Sequence, residues 1–205
     1  LKLTIAYDGT AYSGWQSQTN AVSLQDTFEA VIRKITGETL RVVASGRTDA
    51  GVHALGQVVS FPTTTQLPCD VLLRAFNNHL PRDIAVLRVE EAPTGFHAIR
   101  HAKRKRYRYL LRDGKIPDVF AQRFAWQVYY NLDVPAMQRA LNHILGTHDF
   151  VAFQSSGAER ESTVRTIFSA NIWRGEKLND ELGTVNNERR GGEGEQKAAG
   201  QGRAG

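Results

Sequence analysis

Between Lys2 and Glu91 the apolar residues switch back and forth between two periods, and that alternation constrains the fold more than any other property of the chain. In KLTIAY (2–7), Leu3, Ile5 and Tyr7 recur every second residue, which predicts a half-buried strand. Leu24, Phe28, Val31, Ile32 and Ile35 then follow at helical spacing, with Ser23 as N-cap, Asp26 as its capping-box partner and Gly37 as the stop. RVVAS (41–45) and QVVSF (57–61) read as two strands. A second helix fits 70–79, with Leu72, Ala75 and Phe76 inward and Pro81 beyond its end, and IAVLRVEE (84–91) is another strand. The order β-α-β-β-α-β predicts a ferredoxin-like half, a sheet with its helices on one face.

The second half opens in the same way and then runs out of apolar residues. RYRYLL (106–111), FAWQVYY (124–130) and TVRTIFSANIW (163–173) read as strands. A helix is expected from about Asp133 to Leu145, with Met137, Ala140, Leu141, Ile144 and Leu145 as core positions and Gly146 as its stop. After Leu182 the only large aliphatic side chain is Val185, and the tail is Gly-rich and charged. Such a tail cannot bury enough surface to offset its ordering entropy, which predicts disorder. The fold class expected is therefore α+β, as two ferredoxin-like or RRM-like halves with mixed antiparallel sheets, the second incomplete. The divisions fall at 1–95, 96–175 and a disordered 176–205. Leu1 in place of Met predicts that a short N-terminal piece is missing.

Charge and cysteine usage narrow the functional classes. No apolar run is long enough to cross a bilayer and no signal peptide is visible, while Cys69 is the only cysteine, so the expectation is a cytoplasmic protein without a disulfide framework. The formal charge is +5. Its distribution says more than its size: Arg100, Lys103, Arg104, Lys105, Arg106, Arg108 and Arg112 fall in one run without an acid, the footprint of a polyanionic partner. No Walker A pattern occurs, so NTP binding has little support.

Two constellations carry possible chemistry. SGRTDAGVHALGQ (45–57) sets Arg47, Asp49 and His53 among three glycines. Asp49 reads either as a turn cap or as a nucleophile or general base. Arg47, two residues away on an extended segment, projects to the same side and would keep that carboxylate ionised. His53 alone reads more readily as a packed or hydrogen-bonding histidine than as a catalyst. In KRKRYRY (103–109) a strand would put Tyr107 and Tyr109 on one face and Arg106 and Arg108 on the other, for base stacking and phosphate contact, or equally for core packing with solvated arginines. His97 and His101 have the i, i+4 spacing of a zinc pair but lack the glutamate of H-E-x-x-H, which leaves a metal-dependent hydrolase using Asp49, His53, His97 and His101 as a weak alternative.

GRTDAGVHALGQV (46–58) resembles the signature of the tRNA pseudouridine synthase family of the TruA type. YDGTAYSGWQSQ (7–18), SLQDTFEAVI, FHAIRHAKRKRYRY, GTHDFVAF (146–153) and VRTI (164–167) are similar to further family motifs in the family's order. The resemblance implies an isomerase that converts uridine to pseudouridine at positions 38 to 40 of the tRNA anticodon stem-loop, a homodimer without cofactor or metal. It implies Asp49 as the catalytic residue, Arg47 in base flipping and in pairing with that aspartate, and Tyr107 against the flipped uridine. Arg106, Arg108 and His53 are expected to bind substrate.

From about Gly175 the chain departs from the family pattern, and nothing like the family's FLYHMVRNIVG helix, whose arginine approaches the aspartate, is present. A chain without that helix is expected to leave a sheet edge unpaired and an apolar face uncovered, to be poorly stable and to turn over little or not at all. A catalytically inactive RNA-binding remnant is the alternative reading.

Overall fold

The structure, a computed structural model, describes residues 1–154 and 162–175, so the expected disordered tail lies outside the described residues. The chain divides into two compact units: Leu1–Leu111 with Gln122–Trp126, and Arg112–Ala121 with the chain from Gln127 onward.

The first unit has the predicted element order. Strands β1 (Lys2–Tyr7), β2 (Val43–Ala44), β3 (Ala54–Ser60) and β4 (Ile84–Glu90) and helices α1 (Leu24–Thr36) and α2 (Cys69–His79) follow as β-α-β-β-α-β. The sheet order is β2-β3-β1-β4, antiparallel throughout, the order that two crossovers and a hairpin impose. The period of two puts Leu3, Ile5 and Tyr7 of β1 into the core, while Leu24, Phe28 and Ile32 of α1 and Leu72 and Phe76 of α2 cover them. The Phe28 and Phe76 rings stack 5.4 Å apart where the two helices meet. Each such side chain contributes roughly 1.5–3 kcal/mol on burial, so this layer dominates the stability of the unit.

The helix ends behave as the sequence predicts. Ser23 Oγ accepts the Asp26 N–H at 3.0 Å and donates to the Asp26 carboxylate at 2.6 Å, so the expected cap forms, with the carboxylate taking the Ser23 hydroxyl in place of the backbone N–H of a full capping box. Gly37 closes α1 at φ 76°, the left-handed conformation that favours glycine. On α2, the Asn77 side chain accepts the Val86 N–H and donates to the Val86 carbonyl, both at 2.9 Å, which pins β4 to the helix.

The second half departs from expectation. RYRYLL contains strand only at its end, in β5 (Leu111–Asp113), and residues 103–110 form no ladder among the described residues. A strand is stable only when its N–H and C=O groups find a neighbour, and residue alternation cannot supply one. FAWQVYY contracts to β6 (Trp126–Val128), paired with β5, and TVRTIFSANIW to β8 (Val164–Ile167), paired antiparallel with β7 (Gly146–Asp149). Helix α3 (Val134–Asn142) starts at the expected place, with Asp133 as its cap accepting the Ala136 N–H at 3.0 Å, but ends before Ile144. Its expected core positions are not core: Met137, Leu141 and Ile144 are half-buried, and Ala140 and Leu145 exposed. Among the described residues of the second unit only Ala121 and Val128 are buried apolar side chains.

Candidate active site

Residues 45–53 connect β2 to β3, and their backbone is fastened to the loop after β1, part of the YDGTAYSGWQSQ motif. The Trp15 N–H donates to the Thr48 carbonyl at 2.9 Å and the Gly51 N–H to the Tyr12 carbonyl at 3.3 Å. Tyr7 and Thr48 share a hydrogen bond between their hydroxyls at 2.8 Å. Two glycines make this approach possible. A Cβ on Gly9 would lie 2.1 Å from the Val52 carbonyl oxygen, and one on Gly14, itself at φ 92°, would lie 2.7 Å from that of Thr48. The carbonyls of Gly14 and Trp15 in turn accept the first N–H groups of α1, those of Leu24 and Gln25. The two glycine motifs therefore fold as one backbone-to-backbone layer seated on the N-terminus of α1.

Alternation along this extended stretch turns Thr48 inward and leaves Arg47 and Asp49 exposed, as their two-residue spacing requires. The Asp49 carbonyl accepts the Val52 N–H at 3.2 Å, but among the described residues no hydrogen bond or ion pair engages the Asp49 carboxylate. The side chain is therefore not a turn cap: its backbone is fixed on both sides and its carboxylate is left to solvent. The expected Arg47–Asp49 pairing is not among the ion pairs of the described residues.

Basic chain lies against the same loop. A Cβ on Gly46 would come within 3.2 Å of Lys105 Nζ, so the Lys105 side chain lies against the start of the connection. Tyr107 and Tyr109 are 76% and 83% exposed, and Arg106 and Arg108 are exposed beside them. No hydrogen bond joins Tyr107 to the Asp49 loop among the described residues.

His53, read from sequence as a substrate contact, has both ring nitrogens engaged inside the unit. Nδ1 lies 3.2 Å from the Gly9 nitrogen and 3.0 Å from Asp8 Oδ1, and Nε2 is 3.0 Å from the Arg123 carbonyl oxygen. The ring packs on Phe124 with centroids 4.9 Å apart, and Arg123 forms an ion pair with Asp8. Burial raises the Asp8 pKa, but hydrogen bonds from the Thr10 hydroxyl and N–H, with the charges of Arg123 and His53, more than offset it and hold the carboxyl below its ordinary value. Burial pushes the Tyr7 hydroxyl up, against hydrogen bonds with Thr48 and Gln57, so it is neutral when it meets Thr48. Burial, and then Asp83, whose carboxylate accepts the Tyr12 hydroxyl at 2.8 Å, push Tyr12 up as well. Sequence reasoning missed Tyr7, Asp8, Gly9, Gly14 and Arg123. The glycines of YDGTAYSGW were the visible signal, since two in one short loop mark a close backbone approach. Arg123 has no local signal at all.

The metal-hydrolase arrangement is not assembled. His97 Nδ1 faces the Ile99 and Arg100 N–H groups, His101 Nδ1 faces the His97 N–H, and no group of three metal-ligating side chains occurs among the described residues.

A ferredoxin-like unit that presents an unengaged carboxylate on a glycine-packed loop, with the Lys105 side chain against the start of that loop, defines an α+β protein with a carboxylate and basic chain on one surface. The comparisons make this specific. The tRNA pseudouridine synthase family model matches residues 3–100 and 140–191, running on past Gly175, where the motif resemblance ends. The chain is 45% identical over 178 residues to the tRNA pseudouridine synthase A of Acetivibrio thermocellus, covering 87% of this chain and 73% of that one. It is 47% identical over 173 residues to the protein of the same name from Halalkalibacterium halodurans, covering 84% and 66%. With that of Thermoanaerobacter sp. (strain X514) it shares 41% over 174 residues, covering 85% and 71%. The chain belongs to the tRNA pseudouridine synthase family, a family of isomerases.

Proposed function

We propose that this protein isomerises uridine to pseudouridine in the anticodon stem-loop of tRNA, with Asp49 as nucleophile. The observation that carries the reading is the Asp49 carboxylate itself, solvent-accessible and unengaged on a backbone fixed at Thr48 and Gly51. The carboxylate adds to C6 of the uracil or to C1′ of the ribose. The C1′–N1 bond breaks, the uracil turns, C5 bonds to C1′, the bond to Asp49 breaks to release the carboxylate, the C5 proton leaves to a base and N1 takes up a proton, so the product is an isomer of the reactant. A uridine inside a stem must first be everted, with an arginine free to take its place, and Arg47 is exposed beside Asp49 for that role. Tyr107 stacks on the everted base, and Arg106, Arg108 and Lys105 meet phosphates. The homodimer implied by the family belongs to the same reading.

The test is pseudouridine formation on an unmodified tRNA transcript, by this chain and its Asp49→Asn variant, with and without EDTA. Activity that falls at least about a thousandfold in the variant and survives EDTA supports the reading. Activity kept in the variant overturns it. One observation favours a second reading: residues 103–110, which carry Tyr107, form no ladder among the described residues. On that reading the chain holds tRNA without converting it. Retained tRNA binding with no product identifies that outcome.

A further inference from the structure

We propose that His53 is a positioning residue rather than a tRNA contact: through Nδ1 it ties the exit of the Asp49 loop to Asp8 and Gly9 at the end of β1, and so holds Asp49 in place. The inference rests on Asp49 being the nucleophile. The loop is fastened on the Asp49 side by backbone bonds at Thr48 and Gly51 and by the Tyr7–Thr48 hydroxyl bond, and at its exit, four residues on, by the His53 side chain. That side chain reaches the point where Gly9 packs on the Val52 carbonyl, the closest backbone approach at any glycine of the described residues. The hold persists in both charge states. The neutral ring takes the Gly9 N–H at Nδ1 and donates from Nε2 to the Arg123 carbonyl; the protonated ring donates from Nδ1 to Asp8 and from Nε2 to the same carbonyl. Asp8 is itself oriented by Thr10 and Arg123, so its oxygen stays aimed at the ring. A nucleophile displaced by a fraction of an ångström loses rate without losing substrate affinity.

The two ring nitrogens can be tested separately, because an asparagine amide reaches the Nδ1 position and a glutamine amide the Nε2 position. His53→Gln is expected to lower kcat about tenfold, leave KM for tRNA within about twofold and speed amide exchange at Gly51 and Val52 about tenfold. His53→Asn is expected to stay within about threefold of the parent in kcat and exchange. A rise in KM with kcat and exchange unchanged would make His53 a tRNA contact and overturn the proposal, as would a His53→Asn variant as damaged as His53→Gln. If the parent chain shows no turnover, the Asp49 reading has failed on its own, and the exchange rates still decide whether His53 holds the loop.

Discussion

Two chemistry-bearing segments of one unit were equally visible as motifs, and they differ in what holds them. GRTDAGVH is locked by backbone bonds to Tyr12 and Trp15, a Tyr7–Thr48 bond and two glycine contacts. KRKRYRY has alternation, aromatic rings and charge, yet lies exposed without a ladder. The difference teaches that a loop can be fixed by partners its own unit supplies, whereas a strand is fixed only by a neighbouring strand. The same contrast holds between the units: the core of the first is built from β1, β3, β4, α1 and α2, whereas the described part of the second buries only Ala121 and Val128.

The contrast breaks most visibly if the first unit tolerates loss of its core. Phe76→Ala is expected to destabilise the protein by about 3–5 kcal/mol, since it empties the Phe28–Phe76 stack, as read by urea unfolding. Next comes Gly14→Ala, which sets a Cβ 2.7 Å from the Thr48 carbonyl at a positive φ. It is expected to cost about 1–3 kcal/mol and to impair any pseudouridine formation more than tRNA binding. Met137→Ala in α3 is expected to cost less than about 1 kcal/mol, because that side chain is only half-buried. A cost equal to that of Phe76→Ala would show a core in the second unit that the described residues do not contain.

The smallest effect sharpens the comparison through pH. Asp113 accepts both guanidinium nitrogens of Arg174 and the Leu132 N–H, and hydrogen bonding from Arg174 holds its carboxyl well below the ordinary 3.8. A depressed carboxylate contributes stability that is present above the unfolded value and lost as pH falls through the folded one. The local order of Arg174 is therefore expected to hold at neutral pH and to fade well below pH 3.8, without loss of the first unit's near-UV signal. NMR titration of the Asp113 carboxyl checks this, and a midpoint at or above 3.8 contradicts it.

Much of the first unit was legible because its signals are local. Ser23, Asp26 and Gly37 bracket α1, and the period of Leu3, Ile5 and Tyr7 picks the buried face of β1 before any partner is known. Asp49 was legible as a candidate for the same reason, as was Arg47 on its exposed side. The role expected of His53 was less legible: a histidine's chemistry is set by what its two nitrogens meet, and Arg123 lies seventy residues away. The expected strand through Tyr107 failed on the same ground, since alternation shows that a segment can be a strand but not that a neighbour exists.

Residue order alone determined the element order of the first unit, the helix caps, the basic run and the motifs that place the chain in its family. These depend on residues within a few positions of one another, where periodicity and capping act. Only the tertiary structure decided that Gly9 and Gly14 are the bed of the Asp49 loop, that the Asp49 carboxylate is left unengaged, and that His53 is bound to Asp8 and to the Arg123 backbone. Those outcomes depend on distances between segments far apart in the chain, which become fixed only when the core brings the segments together.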